Sequence, residues 1–145
     1  MSITNEHSQQ KDLDAWILDS AEIRLADGCH AVCILVDQRT GRTLTTVNDP
    51  DAVEDDFETL VLIASADWSE TSASPYPPIV MDNSRVHARL SALGLALQMT
   101  SPHQGARRSL AERRLNALLL GVDVSITTSD ELREILRRRG SEIAV

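Results

Sequence analysis

The rhythm of apolar and polar positions changes several times along the chain, and each change marks an element. From Trp16 to Leu25 apolar residues first run together and then alternate with polar ones, as in a strand. Asp27-Gly28 follows, a strong hairpin turn signal. Ala31 to Val36 is continuous enough to predict a second strand buried on both faces. Arg39-Thr40-Gly41-Arg42 reads as a turn, and Thr43 to Val47 is β-branched enough for a third strand. The first half is thus predicted to be a three-stranded antiparallel meander.

The period then becomes helical, with Val53, Phe57, Leu60, Val61 and Ala64 on one face. Asn48 or Asp49 can cap this helix, Pro50 suits its first position, and acidic residues crowd its first turns. Residues 67 to 78 are rich in Ser, Thr and Pro and predict a loop. Ile79 to Met81 predicts a short strand ending at Asp82. Ser84 can cap a helix that carries Val86, Leu90 and Leu93 and stops at Gly94. Leu95 to Thr100 alternates as a fifth strand. After a loop from Ser101 to Arg108, Ser109-Leu110-Ala111-Glu112 has capping-box spacing, and Leu115, Leu118, Leu119 and Val122 continue a helix. A last helix runs from about Ser129 to Arg139. The polar first 12 residues predict a disordered tail, and residues 13–145 predict one domain. The order β-β-β-α-β-α-β-α-α implies an α/β fold with one five-stranded mixed sheet. Its later strands run parallel to the first, and helices cover both faces.

Composition narrows the function. The 145 residues suffice for a real core, and with aromatics at 3% that core must be Leu, Ile, Val and Ala. The net charge is −8, which disfavours unaided, tight binding of a polyanion. Positive charge is nearly all arginine, clustered at Arg107, Arg108, Arg113 and Arg114 and again at Arg133, Arg137, Arg138 and Arg139. Either cluster is a local anion patch or a solvated helix face. Cys29 and Cys33, four apart on one strand, are too far apart to bridge comfortably and read as small, reduced, buried residues. No membrane span and no signal peptide are evident, so the expected compartment is the cytoplasm and no membrane partner is expected.

Three carboxylates stand out in this layout. Asp19 lies in the first strand, Asp82 ends the fourth, and Glu112 opens the helix after the fifth. A central first strand with the fourth beside it brings Asp19 and Asp82 together, and the helix can lay Glu112 against both. Carboxylates gathered so closely repel one another unless a cation intervenes, and Mg²⁺ takes hard oxygen ligands of this kind. Each has a plainer reading. Asp82-Asn83 is ordinary turn chemistry, Glu112 can be a capping residue, and Asp19 can pair with an arginine. Asp37 is read as structural, holding the turn at Thr40-Gly41. The histidines lack ligand spacing.

The order of these motifs resembles the catalytic core of the retroviral integrase and DDE transposase superfamily, over roughly residues 14 to 122. Trp16-Ile17-Leu18-Asp19 is similar to its first-strand motif, and Asp37-Gln38-Arg39-Thr40-Gly41 to its second strand and turn. Pro78-Ile79-Val80-Met81-Asp82-Asn83 resembles its fourth strand. Thr100-Ser101-Pro102-His103-Gln104 resembles the approach to its catalytic helix, and Glu112-Arg113 that helix's Glu-Arg pair. The resemblance implies a ribonuclease H-like fold and DNA strand transfer by metal-assisted phosphodiester chemistry. Asp19, Asp82 and Glu112 would be the catalytic residues and ligands of two Mg²⁺ (or Mn²⁺) ions, with Asn83 in support. DNA-contact candidates are His103, Gln104, Arg107, Arg108 and Arg113. The implied partners are DNA and either further copies of the chain or a separate DNA-binding subunit. The alternative is a catalytically silent, truncated transposase-like domain acting as an interaction or regulatory module. The short interval between Asp82 and Glu112 and the acidic surface favour that alternative.

Overall fold

The computed structural model describes residues 15–71, 76–81, 84–93, 98–99 and 105–144. Strands β1 (Trp16–Leu25), β2 (Gly28–Asp37) and β3 (Thr43–Asn48) form the expected antiparallel meander. Gly28, at a φ of 126°, takes the backbone through the first hairpin turn, where an L side chain would be strained. The second turn is organised by Asp37, as the sequence implies. Its carboxylate accepts the Arg39 N–H at 2.9 Å and its carbonyl accepts the Gly41 N–H at 2.8 Å.

A single 3₁₀ turn over Pro50–Ala52, capped by the Asp49 side chain, leads into helix α1 (Val53–Thr71). Strand β4 (Pro78–Val80), helix α2 (Ser84–Ala92), strand β5 (Gln98–Met99), and helices α3 (Gly105–Leu119) and α4 (Ser129–Arg138) follow. The five expected strands are present in one mixed sheet, with β4 and β5 parallel to β1. A sixth, β6 (Glu142–Ile143), was not foreseen and pairs in parallel with β3. Two residues carry too little periodicity to be read as a strand. The sheet order is β5-β4-β1-β2-β3-β6, so β1 is central.

Strand alternation divides the core into two clusters, one on each sheet face. Trp16, Leu18, Cys33 and Leu35 face α1 and α2, packing against Phe57, Leu60, Val61, Val86 and Leu90. Ala15, Ile17, Val32, Ile34 and Val80 face α3 and α4, packing against Ala111, Leu115, Leu118, Leu132 and Leu136.

Three local expectations are corrected. Helix α1 runs to Thr71 and includes residues 67–71, read from sequence as loop. Trp68 explains the extension: it packs edge-on against Trp16 at 6.1 Å, outweighing the weak helix propensity of its polar neighbours. Helix α3 begins at Gly105 rather than at Ser109, because Ala106, Arg107 and Arg108 are themselves good helix formers. Cys29 is exposed, since β2 begins at Gly28 and its first residues lie beyond the covering helices; Cys33 alone is buried.

Candidate functional site

Asp19 sits in mid-β1, opposite Ile34 of β2 and half-buried. It belongs to the series Ala15, Ile17, Ala21, Ile23 and Leu25, all of which pack on the α3–α4 side. By alternation its carboxylate belongs to that face too. One oxygen accepts the Ser20 N–H at 2.8 Å. On the other side of β1 lies β4, in the register Trp16↔Ile79 and Ile17↔Val80.

Helix α3 crosses this same face. Its buried stripe, Ala111, Leu115 and Leu118, joins Ile17 and Val80 in one cluster. Glu112 follows the fully buried Ala111 by one residue, about 100° round the helix, and is exposed. Because α3 starts at Gly105, Glu112 lies in its interior, not in its first turn. The capping-box explanation therefore fails: Ser109 is inside the helix and cannot be an N-cap. Glu112 makes no hydrogen bond or ion pair among the described residues.

The structure thus brings the α3 helix onto the face of Asp19. Asp82, Asn83, His103 and Gln104 lie outside the described residues, as do the side chains of Arg107 and Arg108. Among the described residues no three His, Cys, Asp or Glu side chains gather as a metal-ligand group, and Asp82 is not among those residues.

Arg113 is exposed on α3, and Arg114 donates to the Thr43 hydroxyl at 3.3 Å. The second cluster is engaged within the fold. Arg133 bonds Asp130 and the Val47 carbonyl, and Arg137 and Arg138 both bond Glu134. Arg139 donates to the carbonyls of Leu118 and Leu120, each at 2.7 Å. Burial, aided by the charges of Asp56 and Asp19, pushes the Cys33 thiol up to about 12, so it is no nucleophile at neutral pH.

Sequence reasoning missed Asp67 and Trp68, which it assigned to a loop; both line a cleft on the opposite sheet face. The available signal was the scarcity of aromatics, since Trp16, Trp68 and Tyr76 gather there.

What the sheet and helices define is a mixed α/β domain with a carboxylate on its central strand and a helix-borne glutamate on the same side. No protein-family model matches the chain, and no curated protein matches it. Among solved structures it matches a chain from the cryo-EM structure of the simian T-cell lymphotropic virus intasome in complex with PP2A regulatory subunit B56 gamma. The TM-score is 0.59 and the identity 19%, over 86% of this chain and 47% of that chain. The present chain therefore spans about half the length of the one it matches, and shares its fold. No helix among the described residues is long and apolar enough to cross a membrane.

Proposed function

We propose that the chain is an integrase-like catalytic domain of ribonuclease H-like fold that cleaves and transfers DNA strands. The observation that carries this reading is the packing of α3, with Glu112, on the sheet face to which Asp19 belongs. The shared fold with a chain from a viral intasome supports it. Asp82 follows Val80 by two residues, as Asp19 follows Ile17, and Ile17 pairs with Val80 in parallel. Continuing that register would set Asp82 level with Asp19.

Asp19, Asp82 and Glu112 would then hold Mg²⁺ or Mn²⁺, and their carboxylate oxygens are the hard donors such ions take. Bound there, two such ions supply activation of a hydroxyl nucleophile and stabilisation of the leaving oxygen. The half-buried Asp19 is fixed by its strand, while the exposed Glu112 can approach from the helix. Asn83 supports Asp82. His103, Gln104, Arg107, Arg108 and Arg113 contact the DNA backbone, a local cationic surface on an acidic chain. Selection of DNA ends falls to further copies of the chain or to a separate DNA-binding subunit.

Metal-dependent stability tests the site directly. At about a hundred times its dissociation constant, Mg²⁺ or Mn²⁺ should stabilise the wild type by about 2.7 kcal/mol. Asp19→Asn and Asp82→Asn should lose most of that gain. An unmoved wild-type melting curve at high metal contradicts the proposed site and favours the silent interaction module.

A further inference from the structure

A cleft of about 210 Å³ opens on the α1 side of the sheet, away from the face of Asp19 and Glu112. Its floor is apolar and aromatic: Trp16, Leu35, Leu44, Ala64 and Trp68. Its charged lining is Asp37, Arg39, Arg42 and Asp67.

Asp37 is the informative residue. It is only 8% exposed, yet it lines the cleft. One of its carboxylate oxygens accepts the Arg39 N–H, and no other donor among the described residues reaches the carboxylate. Its other oxygen is not closed off in the interior, so it is open to a donor that enters the cleft. Arg42 is held by both Asp67 and Glu142, each at 2.5 Å, so this lining guanidinium is already engaged. The aromatic floor already carries a cation of the right kind: the Arg39 guanidinium lies 4.2 Å from the centre of the Trp68 ring. Arg39 is otherwise exposed, and no carboxylate among the described residues pairs with it.

We propose that this cleft binds a guanidinium group, which stacks on Trp68 in the position Arg39 now takes and donates to the free oxygen of Asp37. Arg39 then acts as a resident competitor that covers the indole until the ligand displaces it. The cleft is too small for a drug-sized molecule and suits a single planar group. A free small guanidinium and the arginine side chain of a partner protein share this chemistry.

The chain has only two tryptophans, Trp16 and Trp68, and both line the cleft, so its two indole N–H signals in an NMR spectrum report on occupancy. Titration with methylguanidinium chloride should shift both signals saturably, whereas sodium acetate at equal ionic strength should not. Arg39→Ala should tighten binding about fivefold by removing the competitor. Asp37→Asn keeps an acceptor for the Arg39 N–H but puts a donor where the free oxygen stood, and should weaken binding about tenfold or more. Asp67→Asn, at the half-exposed rim, should weaken it less and covers the case in which Asp37→Asn disturbs the turn. Acetyl-Gly-Arg-Gly-amide separates the sources: tighter binding than methylguanidinium supports a peptide ligand, and equal binding supports a free cation. Shifts that fail to saturate, that acetate reproduces, or that Asp37→Asn and Arg39→Ala leave unchanged would overturn the proposal.

Discussion

Asp56 shows how one buried carboxyl can set a pH dependence. It is 7% exposed on α1, and its Oδ1 accepts from Asn48 at 2.9 Å, while its Oδ2 has no hydrogen-bond partner. Burial raises its pKa above the ordinary carboxyl value, against the pull of the Asn48 hydrogen bond. The folded state therefore holds this proton more tightly than the unfolded one. The contribution to stability is present below the unfolded pKa and is lost as pH rises through the folded pKa. Asp56→Asn keeps the acceptor for Asn48 and offers a donor toward the Thr46 hydroxyl. It should stabilise the protein at neutral pH by about 1 kcal/mol and flatten the loss on raising pH, as urea unfolding at pH 4 and pH 8 would read. Glu112 presents the opposite case. Being exposed and unengaged among the described residues, its change to Gln should leave unfolding free energy within about 0.5 kcal/mol. A larger loss in the same unfolding measurement would make it a structural residue.

At the scale of elements, helix ends matter more than helix interiors. Thr128 accepts the Glu131 N–H through its hydroxyl, and Glu131 reaches back to the Thr128 N–H, a capping box at the start of α4. Thr128→Ala should cost about 1 kcal/mol in chemical denaturation. Arg139, just past α4, satisfies the carbonyls of Leu118 and Leu120 where α3 ends. Arg139→Ala should cost about 1 kcal/mol and raise amide exchange in the last turn of α3. These ends were the least legible part of the sequence. The meander was plain because its apolar runs, Asp27-Gly28 and Thr40-Gly41 all agree. The start of α3 was not, because Ser109-x-x-Glu112 imitates a capping box while Ala106 to Arg108 carry the helix one turn further back. The end of α1 was hidden because Trp68 is held by a tertiary contact with Trp16 that local propensity cannot express. Strand β6 was hidden because it depends on Arg42 gripping Glu142 and on the Thr45–Ser141 hydroxyl pair, both between residues far apart in sequence.

For the whole molecule, topology does most of the work. A central β1 with β4 beside it and α3 across one face brings residues from distant parts of the sequence to one place. Asp19 and the helix of Glu112 were legible as neighbours because element order and strand alternation fix both. Asp82, Asn83, His103 and Gln104 remain sequence expectations, since they lie outside the described residues. In the proposed function, Asp19, Asp82 and Glu112 act together on DNA. The most direct measurement is nicking or strand transfer on a labelled duplex in Mg²⁺ or Mn²⁺, for the wild type beside Asp19→Asn, Asp82→Asn and Glu112→Gln. Metal-dependent product is expected with the wild type and a loss of at least about a hundredfold in each variant, with unchanged unfolding for Glu112→Gln. Wild-type protein that forms no product with either metal, or variants that match it, would rule out a shared catalytic role for these carboxylates.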